Sequence, residues 1–305
     1  MKAIVYKLEC LTNMHAGSGD INFNVTDNEV ERDPVTGYPT INSSGIKGSL
    51  REFFEINMIN DKDENEIKEI KDIFGSEREN VETDKDKNDD QNKDKNRNQN
   101  NDQSKNQKTS TPGNVKFLSA NMLAMPMRSS DNNHPYYMVT TKTAIDNYIH
   151  LMESLGITIN FNINDIKEEK SYKSPKLGEG TKIEEINISE SIDINTELHY
   201  FLEKHLKERY CILTDKDFLK LSLPVISRNR LDEDGKSKGL WYEEIVPHKS
   251  IFYFVALSYN KKFDDCLAKF HEKIDNKVIQ FGGNASIGYG FSKVNCIGGY
   301  CYEQK

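Results

Sequence analysis

An α+β fold, an antiparallel sheet with helices on one face and long insertions, is what the sequence predicts, and three observations predict it. Lys2–Leu11 alternates like a strand, with Ile4, Tyr6 and Leu8 on one face and Ala3, Val5 and Lys7 on the other, and Ile251–Tyr259 is a second strongly strand-like run. Helical patterns fall between strands without the regular alternation of a doubly wound parallel sheet. Asp234-Gly235, between the extended runs Leu223–Asn229 and Gly239–Glu244, predicts a β-hairpin.

The elements follow in order. After the first strand comes the turn His15-Ala-Gly-Ser-Gly19, then an irregular acidic loop broken at Pro34 and Gly37. Asn42, Ser43 or Ser44 caps a helix whose Ile46, Leu50, Phe53 and Phe54 form an apolar stripe. A second helix spans Glu64–Phe74 and ends at Gly75. Val115–Arg128 reads as a strand ending near Pro126, and Tyr136–Val139 as another. Thr143–Leu155 is an amphipathic helix, Ile183–Ile188 an edge strand, Glu197–Glu208 a helix and Cys211–Leu213 a strand, and a helix starts at Asp215. A helix at Phe263–Lys273, a strand at Val278–Phe281, a glycine loop and a strand from Tyr289 to Val294 complete the pattern.

Residues 81–112 differ from the rest. After Val81 the run holds only charged residues, Asn, Gln, Ser and Thr before Pro112, with seven acids balancing seven bases. Such a tract buries too little to offset its ordering entropy, so it reads as a disordered polar insertion within one domain of residues 1–305.

The net charge of −8 excludes a uniformly basic nucleic-acid coat and requires that any RNA-binding face be local. Five cysteines stand singly, without CxxC spacing, so neither a disulfide framework nor a zinc site is expected, and a reducing cytoplasm fits. No run approaches the length that crosses a membrane.

Four constellations carry chemistry. In Asn42–Arg51, small residues and a helix N-terminus let backbone approach a phosphate, with Lys47 and Arg51 one turn apart as cations; a capped helix with solvated bases is the alternative. His15 and the loop acids Asp20, Asp27, Glu29, Glu31 and Asp33 offer a general base or a metal ligand, though loop acids commonly face solvent. Gly282, Gly283, Gly288 and Gly290 permit close backbone approach, and would meet the His15 turn if the terminal strands are neighbours. Arg228, Arg230, Lys236, Lys238, Trp241 and Tyr242 on the hairpin suit a single-stranded nucleic acid, or are an exposed hairpin and nothing more.

Taken together, Leu11–Gly19, Val25–Asp27, Arg32–Pro39, Ser44–Arg51, Phe117–Arg128, Gly239–Pro247 and the closing glycine loop resemble, in order, the RAMP superfamily of CRISPR proteins. Within it the chain resembles the backbone subunit of the type III-B (Cmr) effector complex. The resemblance implies a modified ferredoxin-like, RRM-like core with a projecting thumb, here residues 223–247. It implies self-association along a guide CRISPR RNA, other Cmr subunits as partners, and cleavage of complementary single-stranded target RNA at regular intervals. Asp27 falls at the family's cleavage aspartate, with His15 second and Mg²⁺ as the expected cofactor, held at Asp27. Guide binding falls on Ser44, Gly45, Lys47 and Arg51, with Arg128, Arg228, Arg230, Gly282 and Gly283 as further RNA contacts. Asn13 stands where a proline or small residue is common, and the 81–112 tract exceeds the family's pattern. A non-catalytic, Csm-like backbone subunit is the alternative. A standalone processing nuclease would call for a His- or Lys-rich site that the sequence lacks.

Overall fold

The computed structural model describes residues 1–17, 19, 26–58, 64–76, 110–174, 180–188, 190–191, 196–207 and 209–299. Asp20 and most of the polar insertion lie outside the described residues.

The chain opens with β1 (Lys2–Cys10); β2 (Thr40–Ile41) then leads into α1 (Ser43–Met58) and α2 (Glu64–Phe74). The short strands β3 (Gly75–Ser76) and β4 (Thr111–Pro112) pair with one another. The far end of the expected disordered tract is therefore corrected: Thr111 and Pro112 belong to a two-stranded neck. Next come β5 (Lys116–Phe117), β6 (Ala120–Arg128), β7 (Tyr136–Thr141) and α3 (Lys142–Ser154). A run of short elements follows: β8 (Tyr172–Lys173), β9 (Lys182–Ile183), β10 (Ile186–Asn187), β11 (Glu190–Ser191), α4 (Thr196–Leu206), β12 (Tyr210–Leu213) and α5 (Asp215–Phe218). Then come the hairpin strands β13 (Val225–Leu231) and β14 (Ser237–Glu244). The chain continues through β15 (Ile251–Ser258), α6 (Asp264–Ile274), β16 (Lys277–Gln280) and β17 (Phe291–Gly299).

The centre of the sheet runs β6-β15-β1-β17, each neighbour antiparallel. With β1 leading through α1 to β6, and β15 through α6 to β17, this is the strand order of two interlocked βαβ units, the ferredoxin-like plan. β1 and β15 are buried on both faces, which is why β15 is an unbroken apolar run. On one face Ile4, Tyr6, Leu8, Phe252 and Phe254 pack with Ile46, Leu50 and Phe54 of α1, Ile73 and Phe74 of α2, and Leu267 and Phe270 of α6. On the other, Ala3, Val5, Tyr253 and Val255 pack with Ile145 and Ile149 of α3 and Leu198 and Leu202 of α4.

The α+β expectation holds, with one correction. Helices cover both faces, because β7, β12 and β8 extend the sheet beyond β6 and bring α3 and α4 over the second face. Two boundaries also move. β6 continues past Pro126, which sits opposite Met138, while the Met138 N–H bonds to the Arg209 carbonyl at 2.9 Å. The expected edge strand Ile183–Ile188 is folded at Glu184, whose φ is 49°, into the tiny hairpin β9–β10. The β13–β14 hairpin forms a sheet of its own, apart from the main one. Among the described residues no helix is long and apolar enough to cross a membrane.

Phe270 ties the first core together: it stacks on Phe54 at 5.9 Å and meets Tyr6 and Phe117 edge-on at 6.0 and 5.2 Å. Phe270→Ala is expected to cost about 3–5 kcal/mol, read from urea denaturation; a loss within the surface-mutant range of about 0.5 kcal/mol would show that this cluster does not carry the core.

Candidate nucleic-acid interface

The antiparallel β1–β17 pair brings Cys10 opposite Ser292 and so places the end of β1 and the start of β17 side by side. The glycine loop that precedes β17 therefore lies on the turn that follows β1, as the sequence anticipated. The Gly283 N–H bonds to the His15 carbonyl and the Gly290 N–H to the Asn13 carbonyl, both at 2.8 Å. Gly282 has φ +79°, and a Cβ there would stand 2.4 Å from the His15 oxygen, so the approach requires glycine. Asn13 has its own role: its Oδ1 accepts the His248 N–H at 3.0 Å.

The hairpin root rests on the same turn. Met14 bridges Val246, and His15 Nδ1 donates to the Glu244 carbonyl at 2.8 Å, which fixes the imidazole tautomer. The next carboxylate inward, Glu243, is only 4% exposed. Its Oε2 accepts Arg228 Nε at 3.0 Å and faces Nη2 at 2.9 Å, while its Oε1 accepts Asn284 Nδ2 at 2.7 Å and lies 3.8 Å from His15 Nε2. The Arg228 guanidinium also lies 4.5 Å over the Tyr289 ring. Arg228, expected to contact RNA, is thus engaged within the protein. One buried carboxylate joins the hairpin, the glycine loop and the His15 turn.

The acidic loop is fastened on both sides. Glu31 accepts from the Asn42 backbone and side chain at 3.2 and 3.1 Å, tying the loop to the start of α1. Glu244 accepts from Val30 N–H at 3.0 Å and from Arg32 at 2.6 Å, tying it to the hairpin. Asp33 closes a local turn; burial pushes its carboxyl up, but hydrogen bonds from Thr36 and Val35 outweigh that and hold its pKa below the ordinary value. Glu29 is also engaged. Asp27 differs from these acids. It is exposed, its Oδ2 accepts the Tyr242 N–H at 2.7 Å, and its own N–H bonds to the Tyr242 carbonyl at 3.1 Å. Its Oδ1 has no hydrogen-bond partner among the described residues.

A second cluster lies on α1. Ser44 and Gly45 are exposed, and Lys47 is half-buried without an ion pair among the described residues. Arg51 pairs with Glu55 at 2.8 Å. Gly48, inside the helix, costs about 1 kcal/mol relative to alanine, yet a Cβ there would meet nothing within 4 Å. The remaining predicted residues lie apart. Arg128 ends β6 and forms a two-pronged pair with Glu184 at 3.2 and 3.1 Å, and Arg230 is exposed on β13 opposite Gly239.

Sequence reasoning marked Tyr242 only as a hairpin aromatic, not as a partner of Asp27, and missed the roles of Glu243, Glu244, Asn284 and Arg32. The available signal was Glu243-Glu244 at a strand end, where alternation sends adjacent carboxylates to opposite faces. One meets the glycine loop and the other the acidic loop.

A ferredoxin-like core with a detached hairpin, a glycine loop on the first turn and a cationic helix start defines the class. The RAMP superfamily matches residues 7–293, and the chain belongs to that family. It is 27% identical to the CRISPR system Cmr endoribonuclease Cmr4 of Pyrococcus furiosus, over 96% of this chain and 95% of that one. The fold matches oligomeric Cmr4 from Pyrococcus furiosus with a TM-score of 0.68 at 21% identity, covering 98% of this chain and 99% of that one. It also matches a chain of the type III-B Cmr-beta complex bound to cognate target RNA, with a TM-score of 0.66 at 20% identity and 97% of each chain covered.

Glu243→Ala would leave the Arg228 guanidinium without its carboxylate and release Asn284. The expected cost is about 3–5 kcal/mol, with amide protection lost first in β14 and the glycine loop by hydrogen exchange. Unchanged protection there would contradict the hub assignment.

Proposed function

We propose that the chain is the backbone subunit of a type III-B CRISPR effector complex, associating with copies of itself and with other Cmr subunits in the cytoplasm. It holds guide RNA by its phosphates and cuts complementary target RNA at regular intervals. The observation that carries the reading is Asp27: an exposed carboxylate with one oxygen pinned by the Tyr242 N–H and the other without a partner among the described residues, at the root of a hairpin beside the glycine loop. The similarity to a Cmr endoribonuclease across nearly the whole chain, and the shared fold with a complex bound to target RNA, support it.

Lys47 and the exposed start of α1 attract phosphates without reading bases. The hairpin, with exposed Leu240 and Tyr242, displaces a nucleotide, so that a target ribose aligns its 2′-OH with the adjacent phosphorus. Alignment supplies much of the acceleration. Asp27 Oδ1 takes the 2′-OH proton, the 2′-oxygen attacks phosphorus, and the 5′-oxygen leaves and takes up a proton from water. The products are a 2′,3′-cyclic phosphate and a 5′-OH. His15, whose Nδ1 is committed to the Glu244 carbonyl, supports the turn and lies beside this chemistry.

A Mg²⁺ ion held by protein alone does not fit the donor set. Among the described residues no three His, Cys, Asp or Glu side chains converge, and Asp27 offers one free oxygen. Metal dependence enters this reading as a cation held chiefly by RNA phosphates, with Asp27 as an outer partner.

Asp27→Asn is expected to lower target cleavage by at least about 100-fold while assembly on guide RNA is retained. Normal cutting by that variant would overturn the catalytic assignment. Full assembly with no cutting by the wild-type complex, with or without Mg²⁺, would favour the non-catalytic backbone reading.

A further inference from the structure

The α1 cluster has a second wall that nothing in the family resemblance supplied. An open groove of about 470 Å³ is lined by Lys47, Gly48 and Arg51 of α1 and by Ser76, Ser110 and Thr111 at the β3–β4 neck. The neck is fixed in place. The Asn114 N–H bonds to the Asp72 carbonyl at 2.9 Å, Val115 N–H to the Ile73 carbonyl at 3.2 Å, and Thr111 N–H to Ser76 Oγ at 3.2 Å.

Two features of the groove point to a ligand. The first is the pairing in its lining: cations from α1 and neutral hydroxyls from the neck. Ser110 and Thr111 are exposed, and among the described residues no acidic side chain lines the groove. Cations facing hydroxyls match the anionic oxygens and ribose hydroxyls of an RNA backbone. The second is Gly48. Packing does not demand it, since a Cβ would touch nothing among the described residues. A helix interior that forgoes a side chain where the protein leaves room keeps that room for something outside the protein.

We propose that the neck is the second wall of the guide-RNA seat. Ser76, Ser110 and Thr111 hydrogen-bond the sugar–phosphate backbone whose charge Lys47 and Arg51 offset, and Gly48 lets that backbone lie against the helix. The inference rests on the assignment of α1 to guide binding, and extends the seat from α1 to the place where the polar insertion leaves the fold.

Cations and hydroxyls separate by salt dependence. Removing a phosphate-neutralising cation flattens the salt slope of single-strand binding by about 0.7, whereas removing a neutral donor lowers affinity without changing the slope. The test titrates the full chain against a labelled single-stranded RNA of guide length at several salt concentrations. Lys47→Ala is expected to weaken binding and flatten the slope. The neck variant Ser76→Ala/Ser110→Ala/Thr111→Val is expected to weaken binding about 5- to 50-fold at unchanged slope, as two to three neutral hydrogen bonds allow. Gly48→Ala, read by melting temperature, is expected to stabilise the fold while weakening RNA binding, a combination that misfolding cannot produce. If Lys47→Ala binds as wild type, the assignment of α1 to RNA fails and this inference falls with it. If Lys47→Ala weakens binding but the neck and Gly48 variants bind as wild type, the neck inference alone is overturned.

Discussion

The structure of the interface depends on one buried ion pair, Glu243 with Arg228. A carboxylate this deeply placed is costly to desolvate, and it is stable there because both oxygens are used. Oε2 meets the guanidinium of β13, and Oε1 meets Asn284 of the glycine loop. The hairpin is otherwise a separate two-stranded sheet, with little core of its own. An isolated hairpin is marginal in water, so its orientation comes from the root, where Glu243, Glu244 and the Met14–Val246 bridge hold it to the turn after β1.

From that constraint the rest of the site follows. Because β14 is held, the Tyr242 N–H stands where it can bind Asp27. Because Glu244 holds Arg32 and Glu31 holds Asn42, the acidic loop reaches from the hairpin root to the helix cap. Asp27 and the helix that carries Lys47 are thereby linked through the acidic loop and its hydrogen bonds. The arrangement separates two tasks. In the proposed function, gripping phosphates falls to α1, where charge without base contact gives affinity but no sequence preference. Placing a carboxylate falls, in that proposal, to the hairpin root, where Glu243 bonds both Arg228 and Asn284.

How much of this was legible in the sequence depends on the range of the interaction. Local periodicity marked β1, α1, α2, α3 and β15, and Asp234-Gly235 marked the hairpin, since each signal lies within a few residues. The meeting of the His15 turn with the glycine loop was conditional on two strands being neighbours; β1 and β17 are neighbours, and the condition is met. The covering of both sheet faces was not legible: Tyr136–Val139 and Cys211–Leu213 read as strands, but their pairing in line beyond β6, which brings α3 and α4 over the second face, is long-range and leaves no local signal. The loop acids looked alike in sequence. Only contacts with residues such as Asn42 and Thr36 separate the structural Glu31 and Asp33 from Asp27. Arg228 read as an exposed base because its partner, Glu243, is fifteen residues away across a hairpin.

The most direct test of the account is a structure of the assembled complex with guide and target RNA, in which the position of Asp27 relative to the target backbone is measured. The account places Asp27 Oδ1 within direct or single-water hydrogen-bond reach, about 2.6–3.2 Å per link, of the 2′-oxygen next to a displaced nucleotide. An Asp27 carboxylate that faces only protein or bulk solvent, with the target strand passing elsewhere, would contradict it.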